Sequence, residues 1–272
     1  MVKAHSFGLS LQSIDMQGST IAFIGRSQAF SPQSIEQDAA ILAAVRSHLL
    51  SAGFECLPVS CEDEMISLEK ANVYLTMGRR LRTLELLSQQ QQNGCLVINS
   101  VGAVSACNQR KLLMQQLEDA GIAVPPLSGP DGYWVKRGEG CRESSADVQY
   151  APNRIEADCL CKSLHQRGIQ QIDVRAHIVG EWVKFYGVRQ TSFFRCYGQQ
   201  NTSVSDLVSR RVERLADTVA QLVGTDVYGG DCIVPADNQP VLVDFNDWPS
   251  FSRCRDEAAE AIASIVIKKT KQ

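Results

Sequence analysis

From Thr20 onward the chain alternates between short apolar runs and longer stretches in which apolar residues recur every three or four positions. TIAFIG reads as a buried strand. Residues 35–52 place Ile35, Ala39, Leu42, Val45, Leu49 and Ala52 at helical spacing and stop at Gly53; FECLPVS is strand-like again, so the first unit is β-α-β. ANVYLTMG, a helix over about 79–92 and CLVIN at 95–99 continue the alternation, which predicts a parallel sheet with helices on its faces. One helix over about 102–120 follows and ends at Gly121. Pro125 and Pro126 in IAVPPL then enforce an extended turn, which marks a first boundary.

Beyond that turn the spacing predicts a strand at YWVK, a small polar loop in RGEGCRESSAD, a strand at DVQY, and a helix over 154–167 closed by Gly168. Strands at 171–178 and 182–188 come next. A helix carrying Val208, Val212, Leu215, Val219 and Leu222 on one stripe precedes the strands YGGDCIV and VLVDFN, and a helix over about 255–267 closes the chain. Residues 1–18 show only weak periodicity and are taken as an N-terminal arm.

Composition narrows the class without naming it. At 272 residues, 44% hydrophobic and 21% charged, the chain can bury a sizeable core. A net charge of −3 with no basic run gives no general attraction to nucleic acid or to an anionic membrane. The opening MVKAHSFGLSLQSIDMQ lacks the apolar core of a signal peptide and no apolar run approaches membrane-spanning length, so the expected location is cytoplasmic. Ten dispersed cysteines without a C-x-x-C pair are expected as free, mostly buried thiols.

Candidate chemistry sits at strand ends. In VLVDFN, alternation puts Val241, Val243 and Phe245 on one face and Asp244 with Asn246 on the other, about 7 Å apart. The short loop PADNQP should pair this strand antiparallel with YGGDCIV, which brings Asp231 toward the same place. Oxygen donors of this kind suit Mg²⁺, but a strand-ending Asp-x-Asn turn has the same letters. Lys136 and Lys184 lie inside otherwise apolar strands, where an ammonium needs an anionic partner or an exit to solvent. In the second of these strands Trp182, Lys184 and Tyr186 share a face that can wall an adenine pocket. Gly138 and Gly140 free backbone amides that can cradle a phosphate, although ordinary hairpin loops look alike. Lys111, within NQRKLLMQQL, reads by itself as an exposed helix charge.

Taken in order, these pieces resemble the ATP-grasp superfamily, in particular its glutathione synthetase, D-alanine-D-alanine ligase and ribosomal-protein glutamate ligase branch. VINSVGAVSACNQRKLLMQQLEDAGIAVPPL resembles that family's helix with its first nucleotide lysine, which gives Lys111 that role. YWVKRGEG resembles its second-lysine strand and glycine-rich loop, with Lys136, Gly138 and Gly140. QIDVRAHIVGEWVKFYGV resembles the nucleotide hinge, with His177 and Lys184, and DCIV with VDFNDWP resembles its metal ligands, here Asp231, Asp244 and Asn246. Three departures are visible: Asp at 244 where Glu is usual, Ala176 where the hinge often has an acid, and a loop poor in glycine that carries Cys141 and Arg142.

The resemblance implies an α/β (α+β) ATP-grasp fold: a Rossmann-like pre-ATP-grasp domain over 19–122, a small central lid over 123–180 and a C-terminal metal-binding part over 181–272. It implies ATP and Mg²⁺ or Mn²⁺ as cofactors, and a small-molecule or peptide carboxylate with an amine or thiol acceptor as partners. Families of this kind are commonly homodimeric. Of Arg189, Arg195, Arg253 and Arg255, Arg253 and Arg189 are the catalytic candidates for holding a substrate carboxylate, against a plain solvated-face reading. A small-molecule kinase similar to the inositol-phosphate kinases, and an ATP-binding regulator without turnover, are the alternatives.

Overall fold

The computed structural model describes residues 18–31, 34–140 and 144–271. Apart from Gly18 the N-terminal arm lies outside them, as do Cys141 and Arg142 of the expected glycine-rich loop. The first sheet is parallel, in the order β2-β1-β3-β4, formed by β1 (Thr20–Gly25), β2 (Glu55–Cys61), β3 (Val73–Thr76) and β4 (Leu96–Ile98). Its inner strands are apolar on both faces because both are covered. Ile21, Phe23 and Leu75 pack with Ile41, Leu42, Val45 and Leu49 of α1 (Ile35–Ser51); Ala22, Ile24, Tyr74 and Val97 pack with Leu87 of α2 (Leu81–Gln92).

The predicted single helix over 102–120 is two helices, α3 (Val101–Asn108) and α4 (Arg110–Asp119), separated at Gln109 by non-helical backbone angles. The interruption is used. It exposes the carbonyl of Asn108 to Gly140 N–H at 2.9 Å, while Lys111 N–H donates to Gly138 O at 3.0 Å, so the loop strand docks into the break. Neither glycine nor proline marks the break at Gln109, which is why the sequence shows one helix.

The second sheet, β6-β5-β7, is antiparallel: β5 (Tyr133–Arg137), β6 (Val148–Ala151) and β7 (Ile172–Ala176). Ala157 and Leu164 of α5 (Arg154–Gln166) cover one face. The third sheet runs β11-β10-β8-β9 with every pairing antiparallel: β8 (Glu181–Val188), β9 (Phe194–Gly198), β10 (Val227–Val234) and β11 (Val241–Asp247). Strand β9, whose FRCYG lacks a clear alternation, is an element the sequence pattern did not reveal. Most of the predicted stripe on α6 (Asp206–Val223) is found: Val208, Val212 and Val219, with Leu215 partly buried beside them, pack on Val183, Phe185, Leu242 and Phe245, whereas Leu222 is exposed.

The final helix, α7 (Arg255–Thr270), turns back onto the first sheet. Ile262, Ile265 and Val266 share one core with α1 and with Tyr186 and Val188 of β8. Buried residues lie all round α7 rather than on one stripe, as expected of a helix wedged between two layers. The first and third sheets therefore grow from one continuous core. Polar side chains reinforce the join: the buried Asn99 amide donates to Val227 O at 2.7 Å and accepts from the Asp226 and Val227 amides at 2.8 Å each. Among the described residues no helix is long and apolar enough to cross a membrane, and every cysteine is a free thiol.

Candidate active site

Strands β10 and β11 pair so that Asp231 lies opposite Asp244. One step further, Cys232 pairs with Leu242, so Val243 is an extra bulged residue. This corrects the expected common face of Val241, Val243 and Phe245: Leu242 and Phe245 enter the core instead. Asp244 and Asn246 do share a face, and the Asn246 amide donates to Asp244 Oδ2 at 2.8 Å. The bulge has a second effect, because it frees Val243 O to accept from Lys136 Nζ at 3.0 Å. Gly230 lets the strands approach this closely, since a Cβ there would fall 2.3 Å from Asp244 O and 2.6 Å from Phe185 Cζ. Gly230→Ala is expected to destabilise the protein by about 1–3 kcal/mol through overpacking against backbone, read as a lower urea midpoint at unchanged slope.

Three cations meet the two acids. Lys184 on β8 faces Asp231 across the sheet and its Nζ is 3.2 Å from Oδ1. The same ammonium lies 5.8 Å from the ring centres of both Trp182 and Tyr186. Arg110, delivered by the helix break, holds Asp244 Oδ1 at 3.0 Å and donates to Arg137 O at 3.1 Å. Burial pushes the Asp244 carboxyl up, but Arg110 and Lys136 more than offset it and bring it down to about 2. Burial instead wins at Asp231, which sits above the usual carboxylate range despite Lys184. Burial likewise lowers Lys136, against the pull of Asp244.

The sign of the Asp244 shift fixes a pH effect. A carboxyl depressed in the folded state contributes fully above its unfolded value of about 3.9 and loses that contribution as pH falls through its folded value. Between about pH 5 and pH 2, the wild type is expected to lose on the order of 2 kcal/mol more stability than Asp244→Asn, read by urea unfolding at each pH.

A cleft of about 520 Å³ opens beside these groups, lined by Arg26, Arg79, Arg110, Lys184, Asn246 and Asp247 among others. Its charged lining is four cations and one acid, in a protein whose net charge is −3. Arg26 follows β1 and Arg79 follows β3, so both stand at carboxyl ends of adjacent parallel strands. Ligands of open α/β sheets gather at that edge. Arg26, Arg79 and Arg110 were absent from the sequence-based candidates, although TIAFIGR and YLTMGRR show arginine directly after an apolar strand. Arg110 was hidden beside Lys111 in what read as an unbroken helix.

The candidates chosen from the sequence divide into a gathered set and a dispersed one. Lys136, Lys184, Asp231, Asp244 and Asn246 come together, and Gly140 lines the cleft with φ +67°. Lys111 is exposed and lines a separate cavity of about 350 Å³ with Asp173 and Arg175. Gly138 sits at the docking point of that helix, where a Cβ would be 3.0 Å from both Gln171 O and Lys111 Cβ. His177 belongs to an aromatic cluster, accepting at Nδ1 from Trp134 Nε1 at 3.0 Å beside Tyr150. Neither arginine chosen for catalysis lines the cleft: Arg189 is paired with Asp226 at 3.1 Å, and Arg253 stacks on Tyr197 at 5.3 Å. Arg195 is likewise taken up by Glu257, in another cavity.

No protein-family model matches the sequence, and no curated protein matches it. Solved structures do. The D-alanine-D-alanine ligase of Bacillus anthracis, solved with ATP, superposes with a TM-score of 0.68 at 12% identity, over 93% of this chain and 97% of that one. The VanG D-Ala:D-Ser ligase of Enterococcus faecalis gives 0.71 at 13%, over 93% and 99%. An ATP-grasp RimK-domain protein of Sphaerobacter thermophilus gives 0.67 at 14%, over 92% and 100%. The chain has the ATP-grasp fold. At these identities the likeness is one of architecture: an ATP-grasp scaffold spanning nearly the whole chain, with a parallel first sheet and two antiparallel sheets.

Within this fold the donor set itself tests a metal. Asp231, Asp244 and Asn246 offer only oxygens among their metal-binding atoms, from adjacent strands on one shelf, which fits a hard cation such as Mg²⁺. No group of three or more His, Cys, Asp or Glu suited to a metal occurs among the described residues, so two carboxylates and an amide would leave further positions to phosphate and water.

Proposed function

We propose that the protein is an ATP- and Mg²⁺-dependent ligase that activates a substrate carboxylate for attack by an amine or thiol. The supporting observation is the meeting of Lys136, Lys184, Arg110, Asp231, Asp244 and Asn246 on one shelf beside a basic cleft, in a fold shared with ligases. Asp231, Asp244 and Asn246 would hold Mg²⁺, which supplies charge neutralisation for ATP phosphates. Lys136 and Lys184 are the ammonium groups for those phosphates, with Lys111 reaching from α4 and Gly138 and Gly140 shaping the loop. His177 and its aromatic neighbours form part of the nucleotide hinge.

In this reading a carboxylate oxygen attacks the γ-phosphorus, the bond to the ADP oxygen breaks, and an acyl phosphate forms. The amine or thiol then attacks the acyl carbon, phosphate leaves, and the nucleophile's proton passes to solvent. The protein's share is positioning and electrostatics, because phosphoryl transfer asks little covalent chemistry of its side chains. Residues 19–122 would serve substrate binding, 123–180 the lid and 181–272 the metal shelf.

One observation favours a second reading, an ATP binder without turnover: Arg110 and Asn246 occupy both oxygens of Asp244. ADP release measured across a panel of carboxylates with amines or thiols separates the two. ADP release that requires both substrates supports the ligase; tight ATP binding with no ADP from any pair favours the binder; a stable phosphoester product would make the protein a kinase instead.

A further inference from the structure

The nucleotide and metal groups account for one side of the cleft, formed by the third sheet and the α3–α4 break. The opposite side comes from the first sheet and carries two buried arginines with no role in that chemistry. Arg26 is 9% exposed and is held by Met77 O at 3.3 Å, Asp38 at 3.2 Å and Trp248 O at 2.9 Å. The Arg79 side chain is also 9% exposed; it pairs through Nη2 with Asp247, and its buried Nε has no partner. Burial, with Arg79's charge adding to it, lowers Arg26 to about 10; both arginines line the cleft, whereas Asp38 and Glu62, which pull the other way, do not.

Backbone amides do not supply this corner's free donors. Glu62 already accepts from the amides of Ser27, Arg79 and Arg80, each at 2.8 Å, and so caps the start of α2 from within the protein. What remains is guanidinium: planar, permanently charged and matched to an oxyanion. We infer that Arg26 and Arg79 form a specificity subsite for a substrate bearing a second oxyanion, carboxylate or phosphate, remote from its reacting group. The inference rests on the ligase reading for the identity of the occupant as substrate, and its test is separable from that reading. A substrate lying across the cleft would then present its reacting end to Lys184 and Asn246, with its far acid on the first sheet.

The test is calorimetric titration of the full chain, with Mg²⁺ and the non-hydrolysable analogue AMP-PNP present. Glutarate is compared with its neutral diamide, and glycerol 3-phosphate with glycerol. At least one acidic probe is expected to bind about tenfold or more tightly than its neutral counterpart, and the arm that responds names the oxyanion. Arg79→Lys, which keeps a cation for Asp247 but removes the guanidinium fork, is expected to erase that preference while leaving the AMP-PNP affinity within about twofold. Arg26→Lys is the second variant, and thermal melts establish that each variant is folded. Equal binding of acidic and neutral probes, or a preference that survives both folded variants, overturns the inference. So does a parallel loss of AMP-PNP affinity, which would assign the arginines to ATP itself or to the strand end they hold through Asp247 and Trp248. A wild type that fails to bind AMP-PNP in the titration without probes contradicts the ATP reading instead, and that result is read separately.

Discussion

Asp244→Ala is expected to abolish Mg²⁺-dependent ATP turnover, a loss of at least about a hundredfold in rate. Asp244 is where several lines meet: it faces Asp231 across the hairpin, holds Arg110, accepts from Asn246 and is pulled down by Lys136. Its removal takes a proposed metal ligand away and leaves two cations without their main counter-charge. Breaking a fully buried pair costs about 3–5 kcal/mol; with each side chain roughly one-fifth exposed, about 2–3 kcal/mol is the expected stability loss. Asp244→Asn keeps the shape and part of the hydrogen bonding, so it separates the two effects. It should unfold nearer the wild-type urea midpoint, yet remain inactive in an ADP-release assay.

Trp248→Ala is expected to lower stability by about 3–5 kcal/mol, read as the urea unfolding free energy. Trp248 and Asp247 follow the proposed metal shelf directly, and together they fasten it to the first sheet. The indole is fully buried, and its Nε1 donates to Ile98 O at 3.1 Å. The Trp248 backbone sits at φ +39°, a conformation that bulky residues rarely adopt, and is held there by Arg26 on its carbonyl and by its own amide on Val227 O. Asp247, paired with Arg79, secures the neighbouring position. Loss of the indole therefore loosens the shelf as well as the core. Trp248→Phe, which keeps most of the volume but not the N–H, should retain more than half of the lost stability.

Much of this was legible from local patterns. The β-α-β alternation to residue 99 appears as the parallel sheet with its helices, because the inner strands there are buried on two faces and each helix on one. The hairpin that sets Asp231 against Asp244 follows from a short polar loop between two apolar runs. Three features were not legible, each because it depends on distant parts of the chain. The bulge at Val243 leaves no mark in hydrophobicity, so the alternation put Val241 and Val243 on the face of Phe245, where the structure has Leu242. The break at Gln109 matters only when the 138–140 segment docks into it. Arg26 and Arg79 are gathered by sheet topology and Arg110 by the helix break rather than by spacing, whereas Arg253, singled out because it closely follows the acidic strand, and Arg189 find partners elsewhere.

The most direct measurement of the central claim is calorimetric binding of AMP-PNP to the wild type and to Lys136→Ala, each with and without Mg²⁺. Lys136 suits this because its recorded hydrogen bond goes to a single carbonyl, Val243 O, and its removal leaves both carboxylates with their other cations. The account predicts binding by the wild type that strengthens with Mg²⁺, and a loss of about ten- to a hundredfold in the variant, the range for a hydrogen bond to a charged group. Equal affinities for wild type and variant, or no response to Mg²⁺, would contradict it.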